Sequence, residues 1–304
     1  MPRQFDVILT NPPFQDSVRR GKTPHKLWID FTHAVFDRFL KPGGLLCQVS
    51  PSSFCSPSNS ILTLMKAQQT VLVRYDTSRH FPQVGSTFAD YVIRKAPNDG
   101  SPARVVYRDR ESEMAFDADL AYIPNDLVAT AVSIHRKVVF DRSRPRLGVE
   151  KDYVTCHNIL LKTAQTLSQT KTETHVHPVF HTNRQVWWSS IRQAWGAELK
   201  VMWTRSGYTR PFYDHGVMGG TDMVYYVRVP NRDAGEILSH NLNLRLMRYI
   251  YATAKWSGFG NERVFAALPA LPLDHRLDDA AITRMFGLTA EEEAHVRATV
   301  ADDR

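Results

Sequence analysis

The sequence predicts an α/β chain: a partial doubly wound, Rossmann-like sheet, then a mixed β-rich domain, then a helical tail. Three observations predict it. Short apolar runs alternate with segments of helical spacing through the first 95 residues, as in strand–helix–strand units. Segments 173–190 and 198–230 are rich in Trp, Tyr, Val and Thr and are punctuated by Gly and Asp turns. Beyond residue 236 the apolar spacing becomes helical again. The expected domains are 1–110, 111–265 and 266–304.

The elements follow in order. Phe5 to Leu9 is an apolar run closed by Asn-Pro-Pro, the mark of a buried parallel strand. His25 to Leu40 carries Leu27, Phe31, Val35, Phe36 and Phe39 at helical period, and Pro42-Gly43-Gly44 is its stop signal. Leu45 to Val49 is the next strand. Ile61 to Lys66 begins a helix, and Val71 to Tyr75 returns to a strand. Phe88 to Arg94 follows, with Ala103–Tyr107 expected as its antiparallel neighbour. Residues 236–253 read as one helix with Leu238, Leu242, Leu246 and Ile250 on one side. Residues 279–299 read as a helical tail with Thr289-x-x-Glu292 as a capping box.

The chain has 304 residues, 43% of them hydrophobic and 23% charged, which suits a soluble fold with a buried core. The net charge of +7 favours polyanionic partners. Its placement adds information: residues 264–304 hold 4 Lys/Arg against 8 Asp/Glu, so the basic excess lies before the tail. Three cysteines without metal-ligand spacing suggest a reducing compartment. No apolar run reaches membrane-spanning length, and the first residues enter a strand directly. A cytoplasmic protein with no membrane partner is expected.

The segment that carries chemistry is Asn11-Pro12-Pro13-Phe14 at the carboxyl end of the first strand, where open α/β sheets bind ligands. Holding a neutral exocyclic amine on a flat base takes two acceptors. The Asn11 side-chain oxygen and the Pro12 carbonyl provide them. Paired in this way, the nitrogen directs its lone pair out of the ring plane toward an electrophilic methyl group, and no strong base is needed. The prolines fix φ near −65°, and Phe14 offers a stacking face. A plain strand with a proline turn is the alternative reading; four apolar residues leading into Asn-Pro-Pro-aromatic make it the weaker one.

These residues resemble the catalytic motif of the adenine-N6-specific DNA methyltransferases of restriction–modification systems and phages. Phe39 to Gly44 followed by Leu45–Val49 is similar to the family's next helix-to-strand unit, and Pro51-Ser52-Ser53-Phe54 to the loop after it. Phe81 to Thr87 with Tyr91-Val92-Ile93 resembles the motif that completes the base pocket. The resemblance implies a partial Rossmann-like methyltransferase sheet and transfer of a methyl group from S-adenosyl-L-methionine to adenine N6 in double-stranded DNA. It makes Asn11, Pro12, Pro13 and Phe14 the catalytic residues. Phe14 and Phe81 would bracket a flipped base. Asp6, Asn11, Pro13 and Lys26 would border the cofactor.

One piece of the pattern is missing. The family's Gly-rich methyl-donor loop usually precedes this motif, and only ten residues precede Asn11. Trp256-Ser257-Gly258-Phe259-Gly260-Asn261 has glycines but no apolar strand before it; the resemblance places it in the DNA-reading domain. The chain is therefore expected to be a fragment, a split gene product whose partner is a second chain supplying the donor loop, or a degenerate copy. Other functions stay open: an idle DNA-binding module, an RNA or protein-glutamine methyltransferase, or cytosine-N4 transfer.

Residues 151–263 interleave Arg184, Arg192, Lys200, Arg205, Arg210, Arg228, Arg245 and Arg248 with Trp187, Trp188, Trp195, Trp203, Tyr208, Tyr225 and Tyr226. Taken singly, most of these are core aromatics or solvated charges. As a set they suit DNA reading, with Arg184, Arg205, Arg210 and Lys255 as contact candidates. Gly216 to Asp222 reads equally as a DNA-contacting loop or a hairpin. His175, His177 and His181 do not make a zinc signature, so no metal is expected. Ser189-Ser190 and Asp214-His215 lack a nucleophile elbow.

Overall fold

The computed structural model describes residues 3–14, 26–75, 77–80, 87–108, 110–157, 165–182, 185–205, 210–256, 259–260 and 262–301. The chain divides into two compact units, Met1–Ser133 and Ile134–Arg304.

The first unit is a mixed α/β structure around one six-stranded sheet. Its strands are β1 (Phe5–Thr10), β2 (Leu40–Pro51), β3 (Gln68–Arg74), β4 (Phe88–Pro97), β5 (Ala103–Tyr107) and β6 (Arg110–Met114), in the order β1-β2-β4-β3-β5-β6. β1 is parallel to β2 and β3 is parallel to β5. The other neighbouring pairs are antiparallel. Helices α1 (Leu27–Ala34) and α2 (Ser60–Ala67) alternate with the first three strands. Asn59 caps α2 by accepting from the Ile61 amide at 3.0 Å. Trp28, Phe36, Leu46, Ile61, Met65, Tyr91 and Ile93 are among the buried side chains of this unit.

Two expectations change. The first helix ends in a π-helical turn, Val35–Phe39, and β2 begins at Leu40, ahead of the Pro-Gly-Gly stop signal. The Lys95 ammonium enforces that ending by donating to the carbonyls of Phe36 (2.7 Å), Asp37 (3.1 Å) and Leu40 (2.9 Å). Gly44 lies where the two parallel strands come closest: a Cβ there would sit 2.8 Å from the Asp6 carbonyl oxygen. The second change concerns β5, which pairs with β3 and β6 and not with β4. Both edges of β4 are already taken. Asn98 also ties the intervening turn to the end of α2, its side chain donating to the Lys66 carbonyl at 3.0 Å and its amide to that of Ala67 at 3.1 Å. The chain is thereby carried across β3 before it can form a hairpin.

The second unit is β-rich, then helical. Its strands are β7 (Glu150–Lys151), β8 (Leu167–Ser168), β9 (His177–Phe180), β10 (Val186–Ser189), β11 (Leu199–Thr204), β12 (Phe212–His215), β13 (Gly219–Gly220) and β14 (Val224–Arg228). They form two sheets, β13-β9-β10-β8 and β12-β11-β14-β7. Helix α3 (Ala129–His135) precedes them. Among the described residues the helices that follow are α4 (Arg232–Leu242), α5 (Arg245–Thr253), α6 (Glu262–Ala266), α7 (Asp279–Met285) and α8 (Ala290–Thr299). The single helix expected over 236–253 is two. Asn243 ends α4 by donating from its side chain to the carbonyls of Ser239 (2.6 Å) and Pro211 (2.7 Å), and Asp279 accepts from the Arg245 amide at 2.9 Å to start α5. The tail is likewise two helices, broken at Gly287 (φ +65°). The capping box is present: Thr289 Oγ1 accepts from the Glu292 amide at 3.2 Å, and Glu292 accepts from the Thr289 amide at 2.7 Å.

His135 is fully buried, with Nε2 2.8 Å from Thr253 Oγ1, and burial lowers its pKa to about 3. The folded chain therefore keeps it neutral at pH values where the unfolded chain protonates it. Its contribution to stability is complete above the ordinary histidine pKa near 6.5 and declines as pH falls from there toward 3. In that window this one imidazole adds about 1.4 kcal/mol per pH unit to the slope of stability against pH. Urea denaturation at a series of pH values should show His135→Phe losing that increment. Identical slopes for the variant and the wild type would contradict the assignment.

Candidate functional site

The carboxyl end of β1 sits beside that of β2. Their register runs Val7 to Leu45, Leu9 to Cys47 and Thr10 to Gln48, so Asn11 leaves the sheet where β2 is about to end. At the next level, Pro51 of β2 faces Phe88 of β4. Asn11 is exposed, Pro12 is buried, Pro13 is exposed and Phe14 is half-buried. The Phe14 ring packs on Phe88 with centroids 5.0 Å apart and planes at 33°. Pro12 and Phe14 thus anchor the segment, while the Asn11 amide is turned to solvent at the strand tip.

A buried polar relay braces the strand end. Gln48, the register partner of Thr10, donates from Nε2 to Thr32 Oγ1 (2.6 Å) and to the Tyr91 hydroxyl (2.9 Å). Thr32 donates in turn to the Trp28 carbonyl at 2.6 Å. The relay joins α1, β2 and β4 beneath the loop. Burial raises the pKa of the Tyr91 hydroxyl, which therefore remains a neutral hydrogen-bonding group. Nothing in the sequence pattern singled out these polar residues within apolar runs.

The other sequence-derived residues are spread more widely. Asp6 lies toward the opposite end of β1 from Asn11, about 16 Å away at ~3.3 Å per residue. Its exposed carboxylate is bound by Lys41 at 2.9 and 3.0 Å. Lys26 is exposed just before α1. Phe81 lies outside the described residues, so the expected pair of bracketing aromatics is represented by Phe14 alone.

β1 itself has an unusual outer side. It is the end strand of the sheet, and among the described residues no strand pairs with its outer edge. Phe5, Val7 and Leu9, alternate residues on one face, are exposed, Leu9 by 83% and Val7 by 58%. Strands of parallel pairs are ordinarily covered on both faces, and exposed apolar edges invite further pairing.

In the second unit the candidate DNA contacts fall into two groups. Arg205 follows β11 half-buried and Arg210 is exposed before β12, so the two flank the same inter-strand connection. Lys255 is half-buried, and burial lowers the pKa of its amine. Arg184 lies outside the described residues. Lys200, read from the sequence among the phosphate-binding cations, is fully buried. Its ammonium donates to Asp214 Oδ2 at 2.6 Å and to the carbonyls of Gly196 and Glu198, both at 3.0 Å. Asp214 Oδ2 also accepts from the amides of Gly216 and Val217 at 3.2 Å and of Met218 at 3.4 Å. This carboxylate therefore shapes the turn into β13. Gly216 adopts φ +89° there, and a Cβ on it would lie 2.5 Å from the Ala197 carbonyl oxygen. Gly216 to Met218 form the turn that leads into β13. Trp187, Trp203, Tyr225 and Tyr226 are core residues.

His175 and His181 each have their own hydrogen-bond partner. His175 Nε2 lies 2.8 Å from the Gln165 carbonyl, and His181 Nδ1 lies 2.8 Å from Thr221 Oγ1. Among the described residues no group of three or more His, Cys, Asp or Glu is placed to hold a metal ion. No described helix is long and apolar enough to cross a membrane.

No family model and no curated protein matches the chain. Solved structures that it is similar to include three restriction–modification proteins, each at 9% identity. For the type IIG restriction endonuclease BpuSI the TM-score is 0.37 over 96% of this chain and 49% of that one. For the type IIL restriction–modification enzyme MmeI, in complex with DNA, it is 0.42 over 86% and 45%. For the ATP-dependent type ISP restriction–modification enzyme LlaBIII, bound to DNA, it is 0.38 over 88% and 26%. The chain spans about half or less of the length of each.

The Lys200–Asp214 pair should behave as a unit. Asp214→Ala strands a buried ammonium and frees three amides of the turn, so it should cost about 3–5 kcal/mol in chemical denaturation. Lys200→Met with Asp214→Leu should cost much less than the single Asp214 change. Equal losses would show that the pair is not the source of the penalty.

Proposed function

We propose that this chain carries the amine-holding and DNA-reading parts of a site-specific adenine-N6 DNA methyltransferase, with S-adenosyl-L-methionine as methyl donor. The observation that carries the reading is the strand tip. Asn11 is presented to solvent, and its neighbours Pro12 and Phe14 are anchored in the fold. That arrangement holds a side-chain oxygen and a backbone carbonyl on a stiff support. Both amine hydrogens of a flat base can be accepted there while the ring lies along Phe14. Proline rigidity and the contact with Phe88 limit the reorganisation needed when the amine binds.

The described residues do not assemble a methyl-donor site by themselves. Asp6 and Lys41 neutralise one another away from the tip, and no described Gly-rich loop borders Asn11. The outer edge of β1, unpaired among the described residues and flanked by an exposed apolar face, is where a second chain would add its strand, bringing the donor loop beside Asn11. This chain's own part is then to hold the amine, cushion the ring and position the DNA. Double-stranded DNA is the partner that suits the basic excess before residue 264.

The test is methyl transfer from radiolabelled S-adenosyl-L-methionine to plasmid DNA, using this chain with its co-purifying or genetically neighbouring partner. Asn11→Ala should reduce turnover on the order of 10²–10³, as expected for the loss of one preorganised hydrogen-bonding group. Phe14→Ala should reduce turnover far more than it weakens duplex binding. Unchanged turnover in both variants would refute the reading.

A further inference from the structure

The second unit contains a cavity that the amine-holding tip does not use. It has a volume of about 580 Å³, within the ~300–1,000 Å³ range of clefts that take small planar ligands. Tyr153, Val154 and Ile191 stand around it with 67%, 83% and 62% of their surfaces exposed. Three exposed large apolar side chains around one hollow form an apolar patch of the kind that marks binding.

Its polar groups are unevenly satisfied. Asp152 is saturated. It accepts from the amides of Val154 (2.7 Å) and Thr155 (3.2 Å), the Thr155 hydroxyl (2.8 Å), Gln193 Nε2 (2.5 Å) and Trp195 Nε1 (3.3 Å). Lys151 is paired with Glu262 at 3.3 Å and lies over the Tyr153 ring at 4.8 Å. Trp195 lies flat on Tyr226, with centroids 4.2 Å apart and planes at 1°, giving the cavity a rigid aromatic wall. One group remains: Arg192 is exposed among the lining residues.

We propose that this cavity binds an unpaired nucleobase of DNA. The base would enter between Tyr153 and Ile191 with its ring against Tyr153, and its phosphate would meet the Arg192 guanidinium. The features match that ligand: an apolar, aromatic mouth for the faces of the ring and an exposed cation for its anionic tail. A free nucleotide has the same chemistry. The inference rests on the second unit facing DNA, but it does not depend on methyl transfer at Asn11.

The experiment is fluorescence anisotropy with the full chain and two labelled duplexes of one sequence, one of them carrying a single unpaired nucleotide. Calorimetry with dAMP and TMP tests free nucleotides. The duplex with the unpaired nucleotide should bind more tightly than the fully paired one. Tyr153→Ala should weaken its binding by about 5- to 150-fold, Ile191→Ala and Arg192→Ala should each weaken it, and Tyr153→Ala and Ile191→Ala should leave binding of the paired duplex unchanged. All three residues are exposed, and an unchanged melting curve confirms that each variant is folded. Binding is read without S-adenosyl-L-methionine, so its outcome is separate from that of methyl transfer at Asn11. Nucleotide binding without any preference for the unpaired nucleotide in DNA would overturn DNA as the source of the base. Variants that bind all probes like the wild type would overturn the site.

Discussion

The candidate site depends on one parallel strand pair. Among the described residues β1 is joined to the sheet through β2 alone, and the register that sets Thr10 against Gln48 fixes where Asn11 emerges. The Gln48–Thr32–Tyr91 relay locks β2 to α1 and β4 directly behind that point. A slip of one residue would turn every side chain of β1 to the opposite face, burying Leu9 and withdrawing Asn11. Gly44 guards against this, because only glycine tolerates the approach of the Asp6 carbonyl. Position at the tip is thus set by packing and register along the strand.

The same strand explains why a second component belongs in the account. Phe5, Val7 and Leu9 form an apolar stripe on the outermost strand, where soluble sheets usually place charge or proline. The stripe and the strand tip share one element, so whatever pairs with the outer edge also approaches Asn11. The exposed surface and the candidate chemistry therefore belong to one structural feature.

Much of this was legible in the sequence, and the failures have physical causes. The first strand, its tip, α2, β3 and the capping box at Thr289 are encoded by local signals: apolar runs, proline turns, and a threonine three residues ahead of a glutamate. The placement of β5 is not local. It follows from Asn98 reaching back to α2, a tertiary bond that short-range spacing does not reveal. The break between α4 and α5 falls at Asn243 and Leu244, within an unbroken amphipathic pattern. There the decisive groups are carbonyls from Pro211 and a carboxylate from Asp279. Lys200 misled because lysine is so seldom buried; its partner Asp214 is 14 residues away on the neighbouring strand. The unpaired-base cavity was invisible for the same reason, since it joins residues near 153, 166 and 191 that only the fold brings together. The position of Asn11 to Phe14 at a strand tip was legible because an apolar run ending in a proline turn is a contiguous, local signal.

The central claim is that the Asn11 and Pro12 oxygens grip an adenine amine. It is tested most directly by the modified nucleosides in DNA from cells that express this chain together with its genetic neighbours. Complete digestion and mass spectrometry should find N6-methyladenine with the wild-type chain and none above background with Asn11→Ala. N6-methyladenine at the same level with both chains, or N4-methylcytosine in its place, would contradict the account.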